Sequence, residues 1–346
     1  MTKQTILTGI TTTGTPHLGN YVGAIRPAIA LSHNDQAHAF YFLADYHALI
    51  KCREPERIRQ SSLEVAATWL ALGLDTDRAV FYRQSDIPEI SELNWLLTCV
   101  TAKGLMNRAH AYKAAVAENE QNDSADPDKQ NDSADPDKGI TMGLFGYPVL
   151  MAADILLFNA HKVPVGKDQI QHIEMARDIA GRFNHIYGEH FVIPEPVIDD
   201  NTATLLGLDG RKMSKSYNNI IPLFAPEKQL KKTINKIKTN SQLPGEPKDP
   251  EQCTLFSIYR AFATAQETQN VRQLYAEGIA WGDMKALLFD YINEHITPAR
   301  ERYQALIDAP HHIEEQLQEG ARKARLLSQP FMQRLKEAVG IARVAP

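Results

Sequence analysis

The apolar residues of the first hundred positions fall into short runs that alternate with stretches of helical spacing. Residues 5–8, 39–44 and 79–82 are short runs of aliphatic, aromatic and threonine side chains, as is typical of strands buried on both faces of a sheet. The intervening segments place apolar side chains three or four residues apart. Strands that alternate with helices through short links predict an α/β fold, a Rossmann-like doubly wound parallel sheet with helices on both faces.

The second half of the chain has a different pattern. Five segments show helical spacing with no strand between them: 226–238, 253–265, 269–277, 281–303 and 311–338. We therefore predict a Rossmann-like domain over residues 1–220. An appended α-helical domain follows over residues 221–346, and its C-terminal helix could pack back on the first domain.

Residues 121–138 interrupt the first domain with the nonapeptide QNDSADPDK written twice. This tandem repeat is polar, acidic and contains proline, so it buries too little apolar surface to order itself. We interpret it as a mobile, duplicated surface insertion. A calcium loop is the alternative, because aspartates recur at Asp123, Asp126 and Asp128. Their spacing departs from the EF-hand pattern, and no glycine or closing glutamate stands in place.

Composition narrows the classes of function. The net charge of −5 argues against a generic basic binder of DNA or RNA, so any RNA contact must come from local patches. Cys52, Cys99 and Cys253 are far apart and form no CxxC pair, which favours a reducing cytoplasm and predicts no structural metal site. The N-terminal residues lack the layout of a signal peptide, and no apolar run is long enough to span a membrane.

The segment GTPHLGN, residues 14–20, directly follows the first predicted strand and begins a helix. Ligands of open parallel sheets bind at the carboxyl ends of strands, and helix N-termini favour phosphate oxygens. Gly19 would let a base or phosphate approach the backbone, while His17 and Asn20 supply donors. The simpler interpretation is a helix start with an internally bonded histidine.

A second polar segment, KMSKS at residues 212–216, follows Gly210 and Arg211. Its two lysines place compact positive charges on a short loop. Such charges can stabilise the negative charge that develops on a leaving phosphate. A solvated surface turn is the alternative for an arbitrary run of lysine and serine.

Together, HLGN and KMSKS resemble the two signature motifs of class I aminoacyl-tRNA synthetases, in the same order and context. Small-molecule nucleotidyltransferases share a similar histidine motif but generally lack the lysine loop. The blocks at residues 9–14, 19–24, 147–156 and 163–169, together with His172, resemble the bacterial tryptophanyl-tRNA synthetases. The resemblance covers nearly the whole chain except the tandem repeat. A tyrosyl-tRNA synthetase and a non-catalytic RNA-binding paralogue remain alternatives.

The resemblance implies an ATP site with Mg²⁺ bound mainly by phosphates and water. It assigns catalysis to His17, Asn20, Lys212 and Lys215. The residues it places against ATP are Thr11, Thr12, Thr13, Gly19, Asn20, Gly166, Lys167, Asp168, Leu205, Lys212, Met213, Ser214, Lys215 and Ser216. Thr11 to Thr13 depart from the family's usual Gln-Pro-Ser, which leaves their partner atoms open.

The resemblance also places L-tryptophan against five residues: Asp154, Met151, Tyr147, Gln169 and Leu7. Indole has a single N–H donor, and a buried acceptor can reject analogues that lack it. Asp154 lies within an apolar segment, where a carboxylate is costly to bury without a donor. A salt bridge or a helix cap is the alternative for this aspartate. Leu7 replaces an aromatic residue common in the family, and residues 45–47 resemble a segment at the pocket edge.

Local charge points to tRNA as the macromolecular substrate. Nine lysines and arginines lie between Arg211 and Lys248, opposed only by Glu227 and Glu246, and residues 322–343 are also basic. A solvated helix surface is the usual alternative for such charges. The resemblance implies tRNA(Trp) as the acceptor, an anticodon-binding role for the helical domain and a homodimer.

Overall fold

The computed structural model of the protein describes residues 3–12, 14–34, 37–124, 135–166, 169–198 and 205–341. Its centre is a five-stranded parallel sheet in the order β3-β2-β1-β4-β5. The strands are β1 Gln4–Thr11, β2 Ala37–Ala44, β3 Val80–Arg83, β4 Lys162–Pro164 and β5 Glu195–Val197. The predicted doubly wound α/β sheet is confirmed. β5 has no counterpart in the sequence prediction because its three residues are too short to show a period.

The chain first runs outward from β1 through β2 to β3, and then returns to the other side of β1 with β4. The connections that leave β1 and β4 therefore diverge in opposite directions. Such a switch point opens a crevice outside the carboxyl ends of the two strands, which is where open α/β sheets bind ligands. Thr11 ends β1 and Gly166 follows β4 at this edge.

Helices surround the sheet and make up most of the second half. They are α1 Leu18–Asn20, α2 Arg26–Ser32, α3 Asp45–Ala48, α4 Pro55–Ala71, α5 Pro88–Val100, α6 Lys103–Met106, α7 His110–Ser124, α8 Met142–Leu156, α9 Ile170–Tyr187, α10 Glu227–Asn235, α11 Thr254–Phe262, α12 Ala265–Ala276, α13 Trp281–Asp308 and α14 Pro310–Ala338. A π-helical turn, Tyr21–Ile25, joins α1 to α2. None of the helices in the described ranges is long and apolar enough to cross a bilayer.

The start of the tandem repeat differs from its predicted loop. Residues 121–124 continue α7, and residues 135–138 form a turn whose Asp137 accepts from the Tyr112 hydroxyl at 2.7 Å. The helix persists because α7 begins well before the repeat at His110. Residues 125–134, and the side chains of residues 122–124, lie outside the described part, so the mobility and calcium interpretations are not addressed there.

The C-terminal helix α14 runs from the helical half back across edge strand β3. Its Phe331 and Leu335 join the core on one face of the sheet, and its Ile313 and Leu317 join the core on the other. Gly320 is buried at the crossing, where an added Cβ would lie 1.6 Å from the Phe81 carbonyl oxygen. Only glycine allows the helix backbone to lie so close to the strand, and α14 thereby covers the sheet edge.

The other helices of the second half share a third core with elements of the first. Leu18 and Val22 from the N-terminal segment, and Met213 from the lysine loop, pack with α10 to α13. Residues of both sequence motifs thus pack in the same apolar cluster. This shared packing holds the two motifs next to each other.

Candidate active site

The HLGN segment forms a compact cap at the start of α1. His17 Nδ1 accepts from the Asn20 backbone N–H at 3.3 Å, and Asn20 Oδ1 accepts from the His17 N–H at 3.1 Å. Together the two bonds form a reciprocal cap at the helix start. Gly19 fits closely here, because an added Cβ would lie 3.0 Å from the His17 ring and the ring would have to shift.

His17 is neutral at physiological pH. Burial, followed by the nearby Lys215 ammonium, lowers its pKa to about 4. Since Nδ1 accepts a hydrogen bond, the neutral ring carries its hydrogen on Nε2. His17 is therefore an uncharged donor at the helix start, suited to a phosphate oxygen.

The lysine loop is held by a single buried amide. Asn219, 2% exposed, accepts from the Ser214 N–H at 2.8 Å and donates to Asp209 at 2.7 Å and to the Lys212 carbonyl at 3.1 Å. The Met213 N–H adds a bond to the Leu205 carbonyl at 2.8 Å. The backbone of the loop is thus bonded to buried neighbours, while Lys215 and Ser216 remain exposed.

The structure brings the two motifs into direct contact. Lys215 Nζ donates to the Gly14 carbonyl at 2.7 Å, across 201 residues of sequence. Backbone bonds from Leu18 to Ile221 and from Leu223 to Pro16, each 3.0 Å, tie the flanking segments together. The Lys215 ammonium and the neutral His17 imidazole therefore lie on the same side of the crevice at the switch point.

Helix α4 supports the glycine loop from below, and no local pattern in the sequence predicts this contact. Buried Ser61 accepts from the Gly14 N–H at 2.5 Å, and Glu64 accepts from the Thr15 hydroxyl at 2.8 Å. Partial burial lowers the pKa of Lys215, and the Glu64 carboxylate opposes that change. Gly14 adopts the left-handed φ of 94°, which favours glycine.

Asp154 lies on α8 with 1% of its surface exposed, and three hydrogen bonds reach its carboxylate. His47 Nε2 is 2.9 Å from Oδ2, and Gln84 Nε2 donates to Oδ1 at 2.8 Å and to Oδ2 at 3.0 Å. Burial raises the pKa of Asp154, while the bonds from His47 and Gln84 oppose that rise. A carboxylate oxygen accepts more than one donor, so the group retains capacity for a ligand N–H.

A second series of hydrogen bonds extends from α8 to the start of α9. The Tyr147 hydroxyl is 2.6 Å from His172 Nε2, and His172 Nδ1 is 2.8 Å from Gln169 Oε1. Tyr147 also packs edge-on against His47, with ring centroids 6.3 Å apart. His47 also bonds Asp154, so three of the predicted residues, Tyr147, Gln169 and Asp154, lie close together.

The remaining predicted positions fall into three groups. Met151 is half-buried, Leu7 is 2% exposed, and both pack in the core that contains α8. Thr11 and Gly166 are exposed at the strand ends, whereas Thr12 is buried with its hydroxyl unpaired. The Leu205 side chain is also buried, so any nucleotide contact there would involve its backbone. Thr13, Lys167 and Asp168 lie outside the described residues.

Lys248 was counted among the basic residues between 211 and 248 that were expected to face tRNA, but its side chain is buried. It is 5% exposed, and its Nζ donates to the carbonyls of Leu243, Glu246 and Gly278 at 2.8, 2.9 and 3.3 Å. The ammonium also lies over the Trp281 ring. Loop carbonyls attract this lysine into the fold, so it is a structural cation.

Gln84 is a further residue that the sequence analysis missed, beside Asp154. It directly follows β3, a strand remote from both motifs, and a lone glutamine carries no catalytic signal. Its position at the carboxyl end of a predicted strand was the available clue. His47 was expected only at the pocket edge but bonds Asp154 directly.

Comparison with known proteins supports a single family. The family model for class I tRNA synthetases (W and Y) matches residues 2–318. A tryptophan--tRNA ligase of Pseudomonas aeruginosa is 62% identical over 339 residues, which cover 97% of this chain and 73% of that protein. The corresponding ligase of Neisseria meningitidis is 58% identical, with 99% of each chain covered.

Solved structures agree with this result. Tryptophanyl-tRNA synthetase from Campylobacter jejuni, complexed with ADP and tryptophan, superposes with a TM-score of 0.87 at 41% identity and covers 97% of this chain and 100% of that one. The tyrosyl-tRNA synthetase of Archaeoglobus fulgidus shares the fold, with a TM-score of 0.62 at 20% identity, over 87% of this chain and 90% of that one. The chain belongs to the class I aminoacyl-tRNA synthetases of the tryptophan and tyrosine branch.

Proposed function

We propose that this protein is a tryptophan--tRNA ligase that first activates L-tryptophan with ATP and then transfers it to tRNA(Trp). The observation that carries this proposal is the meeting of Lys215 with the Gly14 loop at the switch point. The buried Asp154 on the nearby helix α8 favours tryptophan as the amino acid. The two relatives near 60% identity are tryptophan enzymes, whereas the tyrosyl enzyme resembles this chain only in fold.

In the first step, a carboxylate oxygen of tryptophan attacks the α-phosphorus of ATP. The bond from that phosphorus to the bridging oxygen breaks, and pyrophosphate leaves with the electron pair. His17 Nε2–H and Asn20 donate to oxygens near the α-phosphate, while Lys212 and Lys215 stabilise the leaving pyrophosphate. No protein nucleophile is required, so catalysis consists of positioning and charge stabilisation.

The nucleotide lies across the strand ends in this proposal. Adenine packs near Gly19 and Met213, and the ribose lies toward Gly166, with Asp168 accepting from a sugar hydroxyl. Thr11 to Thr13, Lys167, the Leu205 backbone and the serines of the lysine loop complete the ATP contacts. Ser214 and Ser216, with hydroxyls 2.8 Å apart, and the lysine ammonium groups are donors that fit phosphates. Mg²⁺ would be held by phosphates and water, and it supplies charge neutralisation.

Asp154 selects the substrate by accepting the indole N–H, and Met151 and Leu7 pack near the ring. Tyr147 and Gln169, which are joined by hydrogen bonds through His172, hold the amino group of tryptophan. An acceptor that is left unpaired by phenylalanine can reject that substrate by several orders of magnitude without editing.

For the second step, a terminal ribose hydroxyl of tRNA attacks the adenylate carbonyl, and AMP leaves. The helical half from residue 221 supplies the tRNA contacts, with exposed lysines concentrated on and after α10: Lys228, Lys231, Lys232, Lys236 and Lys238. Phosphate contacts of this kind weaken steeply with salt. We place the reaction in the cytoplasm, consistent with the three unpaired cysteines.

We further propose a homodimer. Trp95 on α5 is 66% exposed and Met142 at the start of α8 is 77% exposed, although α5 and α8 pack on each other. Large exposed apolar side chains mark interaction surfaces. Light scattering of Trp95→Lys should show a monomer at concentrations where the unmodified protein is dimeric, and an unchanged mass would contradict the assigned surface.

Pyrophosphate exchange decides the activity. The purified chain, given ATP and Mg²⁺, should exchange pyrophosphate with tryptophan and not with tyrosine, and it should charge tRNA(Trp). Asp154→Ala should lose tryptophan-dependent exchange while its melting curve still shows a folded protein. Exchange with tyrosine alone would overturn the substrate assignment, and absence of exchange with either amino acid would overturn the enzymatic one.

A further inference from the structure

Gln84 is a fully enclosed polar side chain beside the site. It lies in the turn Gln84–Asp86 that follows β3, with no exposed surface. A buried amide is costly unless its donors and acceptor are bonded. Gln84 meets this cost by bonding Asp154 and the Tyr46 N–H at the start of α3, so it connects three separate parts of the chain.

The orientation of the Gln84 amide is determined by its surroundings. Its Oε1 accepts from the Tyr46 N–H at 3.1 Å, which obliges Nε2 to face the Asp154 carboxylate. Asp45 in turn accepts from the Tyr46 and Ser85 N–H groups, each at 3.0 Å, and from the Ser85 hydroxyl. The start of α3 and the turn after β3 are therefore tied together, and an amide flip would leave two donors facing each other.

Nε2 contacts both oxygens of Asp154, at 2.8 and 3.0 Å. A donor placed between the two oxygens favours the ionised carboxylate over the protonated one. It also aligns the carboxylate plane, since His47 fixes only one of the oxygens. Loss of Gln84 would raise the pKa of the buried Asp154 further, because one of the hydrogen bonds that oppose the effect of burial would be removed.

We propose that Gln84 is a positioning residue for substrate selectivity, which holds Asp154 as a correctly aimed acceptor for the ring N–H of the amino acid. The proposal rests on the proposed tryptophan activity. Gln84 touches no reacting atom and acts through Asp154. Its role therefore predicts a loss that depends on the substrate N–H and spares the rest of the reaction.

The decisive comparison uses tryptophan and its benzothiophene analogue, in which sulfur replaces the ring N–H. Pyrophosphate exchange would give kcat/KM for both amino acids with the unmodified enzyme and with Gln84→Met, an apolar side chain of similar length. We expect a loss of about 10- to 100-fold with tryptophan, the usual effect of deleting a hydrogen bond to a charged group. The analogue should change less than threefold, and the KM for ATP should be retained.

A second variant, Gln84→Glu, keeps the shape of the side chain if Gln84→Met fails to fold. Two adjacent carboxyl groups share one proton, so the carboxyl group introduced by this substitution can still donate to Asp154 at low pH. Preference for tryptophan over the analogue should then fall as the pH rises and the shared proton is lost. The unmodified enzyme should show no such fall.

Asn184→Asp is the matched control, because it converts another buried amide to an acid. Asn184 bonds the backbone of His190 and Phe191 and does not contact Asp154. Its selectivity should be independent of pH. An equal loss for tryptophan and the analogue, no loss for either, or a Gln84→Glu profile matching the unmodified enzyme would each overturn the proposal. Failure of the unmodified enzyme to use tryptophan would instead refute the proposed function.

Discussion

Replacement of His17 by asparagine should remove an acid-sensitive element of stability. Asparagine is a strong N-cap residue, so His17→Asn keeps an acceptor for the Asn20 N–H while deleting the titratable ring. His17 has a pKa of about 4 in the folded protein, against 6.5 for an unperturbed histidine, mainly because it is buried. The unfolded chain therefore binds a proton at pH values where the folded site does not.

This difference fixes the sign and size of the effect. The stability associated with neutral His17 is fully present above pH 6.5 and is lost as the pH falls toward 4, because protonation favours the unfolded chain. With pKa values of 6.5 and about 4, the loss is about 2 kcal/mol at pH 5 and about 3 kcal/mol at pH 4. These are upper estimates, since water that enters the site would reduce them.

Urea unfolding of both proteins, at one protein concentration and at pH 7, 6, 5 and 4.5, tests the effect. The free energy of unfolding should fall more steeply with acidity for the unmodified protein than for His17→Asn. Only the difference between the two slopes reports on His17, because other histidines and carboxylates titrate equally in both proteins. Parallel curves would refute the conclusion that His17 is buried and neutral.

Three further predictions concern the frame around the site. Gly320→Ala should lower the free energy of unfolding by about 1–3 kcal/mol, because its Cβ meets the backbone of β3, whereas Gly282→Ala, with open space on α13, should be neutral or stabilising in the same urea titration. Lys215→Ala should reduce maximal pyrophosphate exchange by about 100- to 1000-fold with little change in the KM for the amino acid, and a near-normal rate would remove this lysine from catalysis. Asn219→Ala should slow exchange far more than Asn218→Gly, because Asn219 holds the lysine loop whereas Asn218 lies in the left-handed region that glycine adopts readily. Equal rates for these two variants would contradict that role of Asn219.

The parts of the fold that sequence predicted best are those with a strong local period. The buried runs of β1 to β3 and the long helices from α10 onward were all identified, because each shows its own spacing of apolar residues. β5 was missed because three residues carry no period. Helix α7 was also missed, and the composition of the repeat gives no sign that a helix continues into it.

The two motifs were found from sequence because their spacing is local. Gln84, Ser61 and Glu64 were not found, since their contacts are with residues 38 to 70 positions away in the sequence. A polar residue of an ordinary type acquires such a role only when strands and helices from different segments meet. The same reasoning explains Lys248, whose burial follows from three loop carbonyls that converge only in the fold.

The path of α14 also has a consequence for synthesis. The N-terminus of a nascent chain leaves the ribosome first, yet both faces of the central sheet take residues from 313–335 to complete their cores. Until those residues leave the ribosome, β3 presents an uncovered edge and an incomplete apolar surface. The sheet that appears first is therefore among the last parts to become stable, and premature termination within α14 should yield an aggregating product rather than a shorter enzyme.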